Sequence, residues 1–188
     1  KNYVSDTTDF TPAYETLTVP QYSYFAPEVT LAPPGSYIKV QYASASPEIV
    51  EVKDGKLLAK AAGSAEITAY IVSATEQGAK KFTVTVEEAQ PTGVELSNNR
   101  TFYVAEGEKL DITKVRGKFI CGTGSDGKTY YGEDIELTEE NTQFTMPTAT
   151  GTHSVEVTVT VTVGGKELSA KVNVNVDVQP NREVIIAN

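Results

Sequence analysis

The sequence predicts an all-β protein built of two sandwich domains in tandem. Three observations predict it: apolar residues recur with period two, Gly-Gly and Asp-Gly turns separate the alternating runs, and no window carries a helical repeat of apolar residues. A chain of 188 residues is long for one small sandwich and comfortable for two. At 88–92, Glu-Ala-Gln-Pro-Thr closes one alternating pattern before another opens, which places the domains at 14–88 and 92–179. Proline in so short a joint predicts a semi-rigid link. The polar opening, 1–13, reads equally as an N-terminal tether of the kind that follows an export signal or as an ordinary frayed terminus, and 180–188 as a C-terminal extension. A domain of this size buries roughly 60–65% of the surface its unfolded chain exposes, enough for a core without covalent staples.

In the first domain, 37–42 sets Ile38, Val40 and Tyr42 on one face. Residues 49–53 and 56–59 flank Asp54-Gly55, which predicts a hairpin because both central residues of the favoured two-residue turn take positive φ. In 65–72, Ala65, Ile67, Ala69 and Ile71 alternate with Glu66, Thr68, Tyr70 and Val72. In 81–87, Phe82, Val84 and Val86 alternate with threonines and glutamate. The second domain opens with shorter runs that pair Val94 with Leu96, Phe102 with Val104, Leu110 with Ile112, and Ile135 with Leu137, while 115–121 supplies a further strand.

The two longest runs specify their own register. From Gly151 to Val163 one face carries His153, Val155, Val157, Val159, Val161 and Val163, and the other carries Ser154, Glu156 and three threonines. After Gly164-Gly165 the alternation resumes with Leu168, Ala170, Val172, Val174, Val176 and Val178. If Val163 faces Lys166, then Val161 meets Leu168, Val159 meets Ala170, Val157 meets Val172 and Val155 meets Val174. The apolar faces coincide, as one core requires.

The segment 42–69 reads YASASPEIVEVKDGKLLAKAAGSAEITA. Its parts are Tyr42, Ser46-Pro47-Glu48, the strand Ile49-Val50-Glu51-Val52, the turn Asp54-Gly55-Lys56, an Ala-rich strand from Leu57 to Ala62, and Gly63-Ser64-Ala65-Glu66-Ile67-Thr68-Ala69. This pattern resembles the bacterial Ig-like domain of group 2, found in surface proteins such as intimins and invasins. The family carries tryptophan where Tyr42 stands, and this chain has none. The second domain resembles another bacterial Ig-like repeat through Gly-Glu-x-Leu-Asp-Ile at 107–112 and Gly151-Thr152 before a Val/Thr strand. The resemblance implies two immunoglobulin-like β-sandwiches in an exported, non-enzymatic surface protein.

Composition excludes several classes of chemistry. Cys121 is the single cysteine, so neither an intrachain disulfide nor a cysteine-built metal cluster can form. A net charge of −9 without any basic cluster repels a phosphate backbone, which argues against nucleic acid. No apolar run approaches the roughly 18 residues of a membrane span, and no charged-then-apolar segment opens the chain, so it reads as soluble or already processed.

The residues that could carry a reaction read as structural. His153, the single histidine, falls on the inward face opposite Val176 and reads as a partly buried packing residue. Cys121 shares a face with Val115 and Phe119, as a small buried hydrophobe would. Glu106, Glu108, Asp111, Glu133, Asp134, Glu136, Glu139 and Glu140 are numerous enough to suggest calcium, yet lack the oxygen-ligand spacing of a known loop and read as a solvated acidic edge. The segment 122–132, GTGSDGKTYYG, lacks the phosphate-loop pattern and reads as a turn. No catalytic, metal-ligating or cofactor-binding residue is nominated.

The aromatics leave two readings. Tyr14, Tyr22, Tyr24 and Phe25 cluster near the start, and Tyr130-Tyr131 stand beside the glycine-rich turn. They straddle the core boundary, or they present rings that stack on sugars or anchor a protein partner. The functional expectation is a monomeric structural spacer or cell-adhesion module at the cell surface or in the periplasm, a location compatible with a lipid anchor. The alternative is a glycan- or protein-binding accessory module working through exposed tyrosines.

Overall fold

The computed structural model describes residues 9–36, 39–71 and 78–181. The fold is all-β, with a single turn of 3-10 helix among the described residues. The chain divides into two compact units, Lys1–Gln90 with Cys121–Glu133, and Pro91–Ile120 with Asp134–Asn188. The division between Gln90 and Pro91 falls within coil at 88–92.

Unit 1 contains β1 (Asp9–Pro12), β2 (Thr16–Pro20), β3 (Tyr24–Phe25), β4 (Val29–Ala32), β5 (Val40–Ser44), β6 (Val50–Lys53), β7 (Lys56–Ala59), β8 (Gly63–Ile71) and β9 (Lys80–Glu87). A sheet in the order β2-β9-β8-β5 stacks on a sheet β3-β7-β6, and β1 pairs with β4. The shared core mixes Leu17, Ile67 and Val84 from the first sheet with Val50, Leu57 and Ala59 from the second. Alternation is the cause: Ala65, Ile67, Ala69 and Ile71 are all buried on β8, and the register sets Ile67 opposite Phe82 and Ala65 opposite Val84. Burying each large aliphatic side chain is worth about 1.5–3 kcal/mol.

The β6–β7 hairpin turns through Asp54 at φ 51° and Gly55 at φ 77°, as its sequence requires. Gly63 opens β8 at φ 143°, and a Cβ there would stand 2.8 Å from Ile49 Cδ1. Glycine lets the chain pass close to that side chain.

The start of the chain differs from the sequence reading. Asp9–Pro12, assigned to a tether, forms β1, and Phe10 is buried at 1% exposure in the unit 1 core. A single apolar side chain, Phe10, in a four-residue strand ending in proline gives too short a pattern to show periodicity. Residues 1–8 of the tether, together with Tyr37, Ile38, Val72 and most of the C-terminal extension, lie outside the described residues.

The remaining strands are β10 (Gly93–Leu96), β11 (Phe102–Ala105), β12 (Arg116–Thr123), β13 (Thr129–Glu136), β14 (Thr142–Gln143), β15 (Gly151–Val163) and β16 (Lys166–Gln179). They form two sheets, β11-β16-β15-β14 and β10-β12-β13, and β10 packs on β16. The β15–β16 register is the one the alternation specifies, including Val163 with Lys166, Val155 with Val174 and His153 with Val176. The turn between them holds Gly164 at φ 57° and Gly165 at φ 80°. Val155, Val157 and Val159 are fully covered, whereas Val163 is 43% exposed. Alternation fixes which side a residue faces, and the depth of cover above it depends on the opposing sheet.

Leu110 and Ile112 are buried as expected but not as a strand. Ile112–Lys114 forms the 3-10 turn, and the Asp111 side chain caps it by accepting a hydrogen bond from Thr113 N at 3.1 Å. A short carboxylate that captures a nearby backbone N–H offers the chain an alternative to a ladder. In both units the first strand of the larger sheet runs parallel to the last, β2 beside β9 and β11 beside β16.

Candidate functional site

His153 is half-buried, and its Nε2 lies 2.8 Å from the carbonyl oxygen of Ala149. Cys121 is 3% exposed, and burial pushes its thiol up to about 12, with the neighbouring Ser23 side chain pulling the other way. A thiol so held is no nucleophile at neutral pH. The acidic residues serve separate local purposes. Asp111 caps the 3-10 turn, Glu133 pairs with Lys53 at 2.6 Å, and Glu139 pairs with Lys109 at 3.5 Å. Among the described residues no group of three His, Cys, Asp or Glu side chains converges as metal ligands would.

The segment 122–132 is a turn with a task. Gly124 N donates to Lys128 O at 2.9 Å and Gly127 N to Gly124 O at 3.0 Å, which closes the loop. Ser125 N donates to Thr18 O and Thr18 N to Ser125 Oγ, each at 2.9 Å, so the loop is bonded to β2 within unit 1. Asp126 then serves two groups, accepting from Lys128 N at 3.2 Å and from the Tyr130 hydroxyl at 2.7 Å.

These bonds bring the two tyrosine clusters together. Tyr14, Tyr24, Phe25, Tyr130 and Tyr131 line one open recess of about 190 Å³, with Glu28, Asp126 and Lys128 on its polar wall, all of them in unit 1. The rings are held in place. Phe25 and Tyr130 meet edge to face with centroids 5.2 Å apart, and Tyr14 meets Phe82 in the same manner at 5.6 Å. The Tyr14 hydroxyl accepts from Glu28 N at 2.9 Å, and the Tyr24 hydroxyl donates to Lys53 O at 3.0 Å. Lys56 Nζ sits 5.4 Å from the Tyr24 ring centroid, and Lys128 Nζ pairs with Glu28 at 2.7 Å.

Burial is the main reason that Tyr14, Tyr24 and Tyr130 hold their protons above the ordinary tyrosine range, and for Tyr130 the bond to Asp126 adds to it. The hydroxyls therefore stay neutral through physiological pH. The aromatics divide by role. Tyr130, at 7% exposure, belongs to the unit 1 core, and Tyr22 is buried at 8%, while Tyr24 and Tyr131 are only part-buried and offer surface to the recess. Such an arrangement can hold a ligand between ring faces and fixed charges, and it aligns no nucleophile with a base.

No family model and no characterised protein sequence matches the chain. Among solved structures it is similar to domains 4–9 of the surface layer protein SbsC, at 14% identity and TM-score 0.40, covering 92% of this chain and 31% of that one. It is also similar to human protocadherin-24 EC1-2, at 9% identity and TM-score 0.33 over 95% of this chain and 100% of that one. A third similarity is to a SusE-like, surface-located polysaccharide-binding protein from Bacteroides thetaiotaomicron, at 14% identity and TM-score 0.27 over 90% of this chain and 34% of that one. The chain thus spans about a third of the surface layer structure.

Proposed function

We propose that this protein is a non-enzymatic module exported to the cell surface, where it acts as a spacer or in adhesion. The observation that carries the reading is the strand order. In each unit the first and last strands of the larger sheet are parallel neighbours, so the chain enters at one end of that sheet and leaves at the other. Units built this way can be linked in series without the chain doubling back. The valine-lined interiors and the protonated thiol of Cys121 support the same reading, because they leave the interior packed and unreactive.

Proteinase K digestion of intact producing cells tests it. The reading predicts loss of the chain from unbroken cells, with a cytoplasmic marker spared. Recovery of the chain only in the cytosolic fraction would contradict it.

A second reading, binding through tyrosines, is favoured by one observation. Clusters about a hundred residues apart in sequence, Tyr14, Tyr24 and Phe25 with Tyr130 and Tyr131, share one recess with a polar wall.

A further inference from the structure

Resting on that second reading, we propose that the recess in unit 1 binds one ring of a neutral polysaccharide, with Tyr24 and Tyr131 as stacking faces and Glu28, Asp126 and Lys128 as hydrogen-bonding partners. The size of the recess, the mixed character of its lining and the balance of its charges carry the proposal.

About 190 Å³ is smaller than the roughly 300–1,000 Å³ of sites that enclose drug-sized ligands, so the recess takes one ring and leaves the remainder of a chain outside. A pyranose has one face of C–H bonds with slight positive charge and a rim of hydroxyls. The C–H face suits the electron-rich face of a tyrosine ring. The hydroxyls both donate and accept, so the same ligand can satisfy the carboxylates of Glu28 and Asp126 and the ammonium of Lys128. An apolar peptide side chain would cover the Glu28–Lys128 pair without offering it a partner, and the lost hydration would oppose binding.

Charge narrows the ligand class further. Two carboxylates face one ammonium in the lining, and the whole chain carries −9, so a uronate or sulfated sugar meets repulsion both locally and at long range. The rings need little reordering, because the Tyr24 hydroxyl is bonded to Lys53 O and the recess floor is fixed by Tyr130, Phe25 and Asp126.

Calorimetric titration of the whole chain with maltohexaose, xylohexaose and mannohexaose tests the proposal, with hexagalacturonate as the anionic probe. Saturable binding of at least one neutral probe is expected, weakened about tenfold or more by Tyr24→Ala or Tyr131→Ala and retained in Tyr131→Phe. Tyr103→Ala, at a residue 70% exposed in unit 2, should leave affinity unchanged. Thermal melts of each variant confirm folding. Absence of saturable binding to all three neutral probes would overturn the proposal, as would binding indifferent to both alanine variants. Equal or tighter binding of hexagalacturonate would overturn the neutral class while leaving the recess as a binding site. A peptide library hit abolished by Tyr131→Ala, with no sugar bound, would overturn the proposal and keep the second reading with a protein partner.

Discussion

Cys121 sits in unit 1 with 3% of its surface exposed, and burial raises its thiol from the ordinary 9.0 to about 12. Tyr42, in the same unit, is raised for the same reason from 10.0 to about 12. In both cases the native state holds a proton that the unfolded chain gives up earlier. The contribution to stability is complete below the unfolded values and is lost as pH climbs to about 12. Urea midpoints measured from pH 8 to 12 should therefore fall steadily above pH 9, and a flat profile would contradict the burial of these groups. Iodoacetamide at pH 8 should leave Cys121 unmodified in the native chain and modify it fully in urea, as read by intact mass. The sequence showed Cys121 as a packing residue because Val115 and Phe119 share its face. It did not show Tyr22, a buried tyrosine held at φ 75°, since nothing in its neighbours signals a left-handed residue there.

At the scale of elements, legibility followed run length. β15 and β16 span 13 and 14 residues, long enough that one register alone aligns both apolar faces, and the structure adopts it. β1 spans four residues, and its partner β4 is also short, so their pairing is set by the core that receives Phe10 and not by periodicity. Leu110 and Ile112 show a third case, in which spacing gave the burial and a capping aspartate decided the conformation. The importance of β1 is measurable. Phe10→Ala should destabilise unit 1 by about 3–5 kcal/mol in urea denaturation, the cost of emptying a packed aromatic site. Tyr103→Ala, removing an exposed ring, should stay within about 0.5 kcal/mol of wild type. Equal effects of the two would show that the first strand is not part of the core.

For the whole molecule, the sequence disclosed two sandwiches but not how the chain is shared between them. Residues 92–179 read as one continuous second domain, whereas Cys121–Glu133 belongs to unit 1, where Tyr130 joins the core and Ser125 bonds to Thr18. The candidate site was half legible for the same reason. Both tyrosine clusters stand out along the chain, but their meeting in one recess depends on contacts across about a hundred residues, which no local pattern encodes.

The recess exists only if the loop at 124–131 is built into unit 1. Hydrogen exchange of the whole chain under increasing denaturant tests it. The amides of Gly124 and Ser125, bonded to Lys128 O and Thr18 O, should be protected and should open together with β8 and β9. Free exchange of these amides, or opening in step with β15 and β16, would contradict the placement.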